Sequence, residues 1–549
     1  MSEFSTLNGY KVKDKKATRF YDNVELMKAD TTLKEGMHVI TKGYYDINDG
    51  GGAEYHITNT LSVSDYQEEL NNNLFATLII DNYAKAKQYG FKNDGSDNSL
   101  LAIELFKNKK VYFDEGTYIF DTITIDHDIE ISGNNTILKP NRVSETNNKF
   151  KTMFNFTGSN NVIIKNITFQ GYLDVEEQSG TLQPHNSLMN VTGLKSFTLQ
   201  NCELYNFDNR QSSEVESLIV NRRAVLCTIH DTLQVNIDNN KIHDIYGEEC
   251  FYSIVDELDR DKINMNFTNN KVYDIHTTTF NFIGNILNIK NNYYNFEYAG
   301  SCINCFALYL FVENEEIYGS YDSVYDNCEE VYFQGIDAHF KNIINYAEIT
   351  NNLFSLSCNY TEIDNFINNE ETDVLNCFRF YFNTNQSDIH KDCSTTTLAK
   401  CYAKVTNSKL VATHITSSLN NYDCDYNLTI ENCELKCTVD TSISPPPGYL
   451  ILSTPSNLIL INNIIHSCLT GGSGHYTVLY NKDANLFNIV RALNNKIIHT
   501  SGLVERFIVG ATLPKRILFI GNESDVDSSV IASTLTNVKA YGNYNYVES

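Results

Sequence analysis

The sequence predicts an all-β fold: a parallel β-helix with a small region ahead of it. Three observations predict it. One Asn-centred pattern recurs along most of the chain. The apolar residues before each Asn alternate, as they do in strands. A short amphipathic helix pattern sits where the first coil of such a solenoid would need covering.

Composition bounds the answer. The chain has 549 residues, 42% hydrophobic and 20% charged, enough apolar material for a large core, which excludes global disorder. No run of 18 apolar residues occurs, so no transmembrane helix is expected. Met1-Ser2-Glu3-Phe4 lacks a basic segment followed by an apolar run, so no signal peptide is expected. The net charge of −26 argues against nucleic acid and acidic membranes as partners. None of the 14 cysteines precedes Cys202. Cys302 and Cys305 are the one Cys-x-x-Cys pair, and no second such pair completes a zinc site, so reduced, buried thiols are expected. No metal and no cofactor is predicted.

The repeat reads apolar-x-apolar-x-Asn. Its Asn positions are Asn166, Asn201, Asn239, Asn269, Asn291, Asn314, Asn351, Asn407, Asn432, Asn462, Asn494 and Asn522. All 24 residues two and four places before them are apolar, against the 42% background. Counting the step from Asn351 to Asn407 as two, the mean period is about 30 residues. Period-two alternation of this length signals strands. A strand, a turn at Asn and another strand describe one coil of a parallel β-helix. Asn tolerates left-handed turn geometry, and its amide can bond to the next Asn along the stack, so a ladder of buried turn Asn is expected. A β-sandwich, or several small β domains, is the alternative.

Ahead of the repeats, Ser99 to Asn108 has a helical pattern that Ser96 or Asp97 can cap. Leu100, Leu101, Ile103 and Leu105 supply its apolar face, and the helix would cover the exposed end of the first coil. Short strand patterns follow between Val111 and Gly133. Gly50-Gly51-Gly52 lacks the Lys-Ser/Thr and the helix of a phosphate loop and reads as a tight turn.

"YGFKNDGSDNSLLAI" (89–103) followed by "VYFDEGTYIF" (111–120) resembles the opening of pectate-lyase-like right-handed β-helix proteins. "GYYDINDGGGAEYHI" (43–57) resembles a segment found ahead of that helix in bacteriophage tailspikes and tail appendages. "LNGYKVKDKKATRFYD" (7–22) is similar to the N-terminal segment of structural proteins from phages of low-GC Gram-positive hosts. The resemblance implies an anchor segment over residues 1–22 and a small attachment domain over 23–84. The β-helix then spans 85–530, with its capping helix at about 97–108, and a C-terminal tail spans 531–549. It implies a virion protein, assembled in the host cytoplasm, that forms a homotrimer. Its N-terminal region would bind other virion proteins, and its β-helix would bind host cell-surface glycan and in many relatives cut it. No nucleic acid and no membrane insertion are implied.

The chemistry-bearing residues are fewer. No GxSxG elbow and no HExxH occurs, and the polygalacturonase elements of the same superfamily are missing. A glycosidase needs two carboxyl groups about 5–5.5 Å apart for retention or about 6.5–9.5 Å for inversion. Equal registers on adjacent coils lie about 4.8 Å apart. The positions just before the ladder Asn carry no acid pair on neighbouring coils, and Lys290 beside Glu313 reads as a surface ion pair. After the ladder, "KIHDIYGEE" (241–249) aligns with "KVYDIHTTT" (271–279). Asp244 and Asp274 then share one register and are the candidate catalytic pair. His243, Tyr273 and Tyr205 share the register before them as a stacking platform, since the chain has no Trp. Glu248, Glu249, Asp256 and Glu257, in an acidic loop, are the alternative acids. Arg222 and Arg223, with Arg210, could hold a substrate carboxylate or phosphate. The plainer readings are turn aspartates that cap backbone amides, solvated loop acids, and arginines paired with Glu214 and Glu216.

The leading functional reading is a tailspike-like receptor-binding protein for host polysaccharide, with degradation of that polysaccharide left open between hydrolase and lyase. A non-enzymatic fibre of the virion and a bacterial polysaccharide-degrading β-helix enzyme are the alternatives.

Overall fold

The computed structural model describes residues 4–7, 10–13, 18–63, 65–144, 147–172, 186–208, 224–254, 260–296, 303–319, 331–335, 337–345, 354–357, 360–368, 380–382, 400–411, 415–416, 425–440, 448–452, 457–470, 475–481, 489–501, 503–510, 516–524, 538–541 and 544–545. The chain forms two units, Met1–Ile242 and His243–Ser549.

The first unit opens with an antiparallel hairpin, Phe4–Leu7 against Tyr10–Lys13. A five-stranded sheet follows, made of Thr18–Tyr21, His38–Thr41, Glu54–Thr58, Phe75–Ile79 and Gln67–Glu69. The helix Val24–Ala29 joins it, capped by the Asn23 side chain, which accepts the Leu26 N–H at 2.9 Å. Buried Glu68 accepts hydrogen bonds from Lys28 Nζ at 2.8 Å and from the Tyr44 and Tyr66 hydroxyls at 2.6 Å each, so its charge is fully partnered. Gly50-Gly51-Gly52 lies in the turn between strands His38–Thr41 and Glu54–Thr58, where the Asp49 carboxylate gathers the backbone N–H groups of Tyr44, Tyr45, Asp46 and Gly51.

From Lys110 onward the strands of this unit stack in three parallel columns, apart from Arg142–Ser144 and Asn147–Phe150, which pair with each other antiparallel. One holds Lys110–Phe113, Ile129–Gly133, Asn161–Lys165, Ser196–Gln200 and Gln234–Asp238. A second holds Gly116–Phe120, Thr136–Pro140, Thr168–Gln170 and Glu203–Asp208. A third holds Ile123–Ile125, Phe154–Thr157, Met189–Thr192 and Cys227–His230. This is the coil of a parallel β-helix, and inward residues such as Ile131, Ile164, Leu199 and Ile237 pile into one core.

The capping helix is Ser99–Leu105, shorter than expected, with the Asp97 carboxylate accepting the Ser99 N–H at 3.0 Å. Its buried stripe is Ala102, Leu105 and Phe106, while Leu100 is 84% and Ile103 56% exposed. The expected face is therefore rotated onto the i, i+3, i+4 set that includes Phe106. Phe106 packs its ring 5.4 Å from both Phe120 and Phe154, closing the aromatic core of the first coils. Burial of one such ring contributes about 1.5–3 kcal/mol.

The second unit continues the same construction. Asn264–Thr268 pairs in parallel with residues 286–290 of Lys271–Lys290. The latter pairs with Ile303–Gly319, which pairs with Asp337–Asn345 and then Tyr360–Asn368. Further coils carry Lys400–Thr406, Asp425–Glu431, Asn457–Ile461, Ile489–Leu493, Arg516–Ile520 and Val538–Tyr541.

The Asn ladder is real but double. Asn166, Asn201, Asn239, Asn269, Asn291, Asn314, Asn342, Asn365, Asn407, Asn432, Asn462 and Asn494 all have φ between 51 and 59°. Nearly all of these are exposed rather than buried, and they bond amide to amide, as in Asn291 to Asn269 at 3.1 Å and Asn342 to Asn314 at 2.8 Å. The next residue in each coil is buried, and where it is Asn it builds a second, inner ladder. Asn463 donates its backbone N–H to Asn495 Oδ1 at 3.0 Å, and Asn495 does the same to Asn522 at 2.9 Å. Asn522 thus belongs to the inner ladder, and Gly521, with φ 65°, takes the outer turn there. Asn342 and Asn365 supply the turns between Asn314 and Asn407; Asn351 lies outside the described residues.

Candidate functional site

The strand Lys241–Ile254 carries His243 and Asp244, and Lys271–Lys290 carries Tyr273 and Asp274. The rings of His243 and Tyr273 stack with centroids 4.6 Å apart and planes 7° from parallel, as equal registers on neighbouring coils require. Asn295 and Tyr318 continue the register on the following coils. Tyr205 lies in the first unit, half-buried, in register with Gln170, and burial raises its hydroxyl pKa.

Asp244 and Asp274 both sit at turns, with φ of 53 and 50°. His243 Nδ1 lies 2.7 Å from Asp244 Oδ2; a carboxylate only accepts, so Nδ1 carries the hydrogen. The same local device occurs at His230 and Asp231, where the two side chains are 2.7 Å apart and Asp231 has φ 47°. A His-Asp pair with a left-handed Asp therefore occurs twice among the described residues as a turn element.

The acidic loop is not a loop at its start. Glu248 and Glu249 lie in the strand Lys241–Ile254, because the backbone resumes extended geometry after the bend at Asp244. Glu249 is buried, 5% exposed, and accepts from Asn281 Nδ2 at 3.4 Å, so it is a core carboxyl and not a solvated acid. The Glu248 side chain, Asp256, Glu257, Arg222 and Arg223 lie outside the described residues, as do Arg210, Glu214 and Glu216. Lys290 and Glu313 form the expected surface pair at 2.9 Å.

Five described cysteines, Cys202, Cys227, Cys250, Cys305 and Cys433, are free and buried, and burial pushes the Cys202 thiol up to about 12 and the Cys433 thiol to about 11. Among the described residues no group of three His, Cys, Asp or Glu is placed to hold a metal ion. No helix among them is long and apolar enough to cross a membrane.

No protein-family model and no curated protein matches the chain by sequence. Solved structures align at low identity. A tailspike protein of the Acinetobacter baumannii bacteriophage Fri1, a capsular polysaccharide depolymerase, is 11% identical, with 97% of this chain and 76% of that chain covered and a TM-score of 0.28. The N-terminal fragment of bacteriophage Phi29 gene product 12 is 12% identical, with 84% and 91% covered and a TM-score of 0.41. Pantoea stewartii WceF, a glycan biofilm modifying enzyme with a tailspike-like parallel β-helix fold, is 11% identical, with 85% and 49% covered and a TM-score of 0.33. The fold of this chain stands on its own strand pairing and not on these likenesses.

Proposed function

We propose that the chain is a phage tailspike-like receptor-binding protein that recognises a host cell-surface polysaccharide. The observation that carries the reading is the outward column of stacked rings on the solenoid, His243 on Tyr273, with Asn295 and Tyr318 in the same register. Rings and amides repeating at about 4.8 Å along a rigid sheet suit a long polymer of ring-shaped, hydroxyl-rich units. A bacteriophage attachment role for residues 1–84 follows the sequence resemblance, and the separate sheet over Thr18–Ile79 suits a small adaptor ahead of the coils. Three copies side by side complete the proposal.

The test is incubation of the purified full chain with bacterial cell-wall and capsular polysaccharides, reading both retention on the polymer and released oligosaccharide. Retention supports receptor binding, and its loss in Tyr273→Ala with an unchanged melting temperature assigns it to the column. No retention on any polymer refutes the reading.

A further inference from the structure

The junction between the five-stranded sheet and the coils is buried. Ala84 and Ala86 are 0% exposed, Tyr89 1% and Phe91 3%, whereas a linker between independent domains is exposed and makes few contacts. Ala84–Lys85 pairs in parallel with Lys110–Phe113, and Asp94–Asp97 with Gly116–Phe120, so residues 84–97 lay a partial coil against the first full one. Between them a 3-10 turn, Ala86–Tyr89, ends at Gly90 with φ 83°. The sheet's turn over residues 43–52 closes on it. The Tyr45 hydroxyl donates to the Gly90 carbonyl at 2.8 Å, and Gln88 Nε2 donates to the Gly52 carbonyl at 3.2 Å. A Cβ at Gly90 would meet the Tyr44 ring at 2.6 Å, and one at Gly51 would meet the Lys87 carbonyl at 2.5 Å. The Tyr66 ring lies 4.4 Å from that of Tyr89, whose hydroxyl accepts from Asn108 Nδ2, just past the capping helix, at 2.7 Å. At their far ends the Tyr44 and Tyr66 hydroxyls both donate to buried Glu68, which Lys28 holds from the helix Val24–Ala29.

We infer that this sheet is the N-terminal cap of the solenoid, joined to the first coils by a Tyr44–Glu68–Tyr66 clasp, so that the two fold and open as one body. The end coil of a solenoid exposes apolar core, and stacked repeats need a capping element there. The helix Ser99–Leu105 has only seven residues, and of these Ala102 and Leu105 are buried. The sheet extends the cap by packing Tyr44 and Tyr66 onto Gly90 and Tyr89, in the partial coil that precedes the helix. Glu68 ties the two rings to one carboxylate. Burial, and then the Glu68 charge, raise the pKa of both hydroxyls, so both stay protonated and donate. Without that acceptor two part-buried phenols lose their partner, and both rings are free to leave Tyr89 and Gly90. Whatever the sheet grips, the first coils leave it at one fixed angle and do not swing on a tether.

The experiment is hydrogen exchange of the full-length chain across sub-denaturing urea, read by mass spectrometry on peptides spanning Glu54–Thr58 in the sheet and Gly116–Phe120 in the first coil. In wild type both peptides are expected to open at the same urea concentration. Glu68→Gln is expected to speed exchange in both by about tenfold or more, although Glu68 lies in the sheet. The strand Ile489–Leu493 of the second unit should keep its wild-type rate, and Asp81→Asn, an exposed control at the junction, should change nothing. Tyr45→Phe removes one hydroxyl from Gly90 and is the milder variant, expected to speed both peptides together by about threefold or more. With the wild-type urea series it decides the matter if Glu68→Gln does not fold. A wild-type sheet that opens at lower urea than the first coil overturns the inference. So does either folded variant if it speeds the sheet alone or leaves both peptides unchanged.

Discussion

Glu315 stands one coil after Asn292 in the buried ladder, and its Oε1 accepts the Asn292 backbone N–H at 3.1 Å. It is the carboxyl member of a ladder otherwise built largely from amides, and it is 1% exposed. Burial pushes its carboxyl up to about 8, with the Asn292 hydrogen bonds acting in the opposite direction. The folded state thus binds a proton that the unfolded state releases from about 4.5 upward. Stability from this group is fully present below about pH 4.5 and falls between there and about pH 8. Its slope approaches about 1.4 kcal/mol per pH unit in that window. Glu315→Gln keeps an acceptor for Asn292 and removes the titration. Denaturant melts across pH 5 to 8 should show the variant gaining on wild type as pH rises; parallel curves would refute a neutral buried Glu315.

The two ladders predict opposite tolerances. Asn495 accepts the Asn463 N–H and donates to the Leu460 carbonyl at 3.0 Å, so Asn495→Leu strands buried backbone groups and should cost about 1–3 kcal/mol. Asn462, exposed with φ 55°, holds the left-handed turn and donates its amide to Asn432 Oδ1 at 3.2 Å. Asn462→Gly should cost less than Asn462→Ala, which meets about 1–2 kcal/mol of left-handed strain. Equal losses at positions 462 and 495 in urea melts would contradict the inner and outer assignment.

Much of this fold was legible from alternation and one residue type. The ladder from Asn166 to Asn314 follows the pattern directly. The pattern slipped where chemistry at the flanks was ambiguous. Thr361 breaks the apolar pair before Asn365, and an Asn at position 522 matched the apolar rule one residue out of register, because Gly521 does the turning. The matching turns at Asp244 and Asp274 were legible from the aligned segments, but only the fold shows His230 and Asp231 repeating the same turn.

The exposed pair Lys290–Glu313 should add little. A double-mutant cycle is expected to return below about 1 kcal/mol, shrinking further in high salt. A coupling of several kcal/mol would mean that this face is covered by a partner.

Assembly is predicted to be trimeric. Light scattering of the purified chain at micromolar concentration should return three times 62.5 kDa. A species of 62.5 kDa would remove the trimer from the proposal.

The central claim is that outward aromatic columns of this β-helix read a polysaccharide. Its most direct measurement is binding of the full-length chain to a printed array of bacterial capsular and cell-wall polysaccharides, with Tyr273→Ala and, at the second ring stack of Phe311 on His339, Phe311→Ala beside wild type. The account predicts a signal on one or a few related polymers that weakens about tenfold or more in each folded variant, the effect of about 1.4 kcal/mol of lost contact. Absence of wild-type binding across the array, or binding that both variants retain in full, would contradict it.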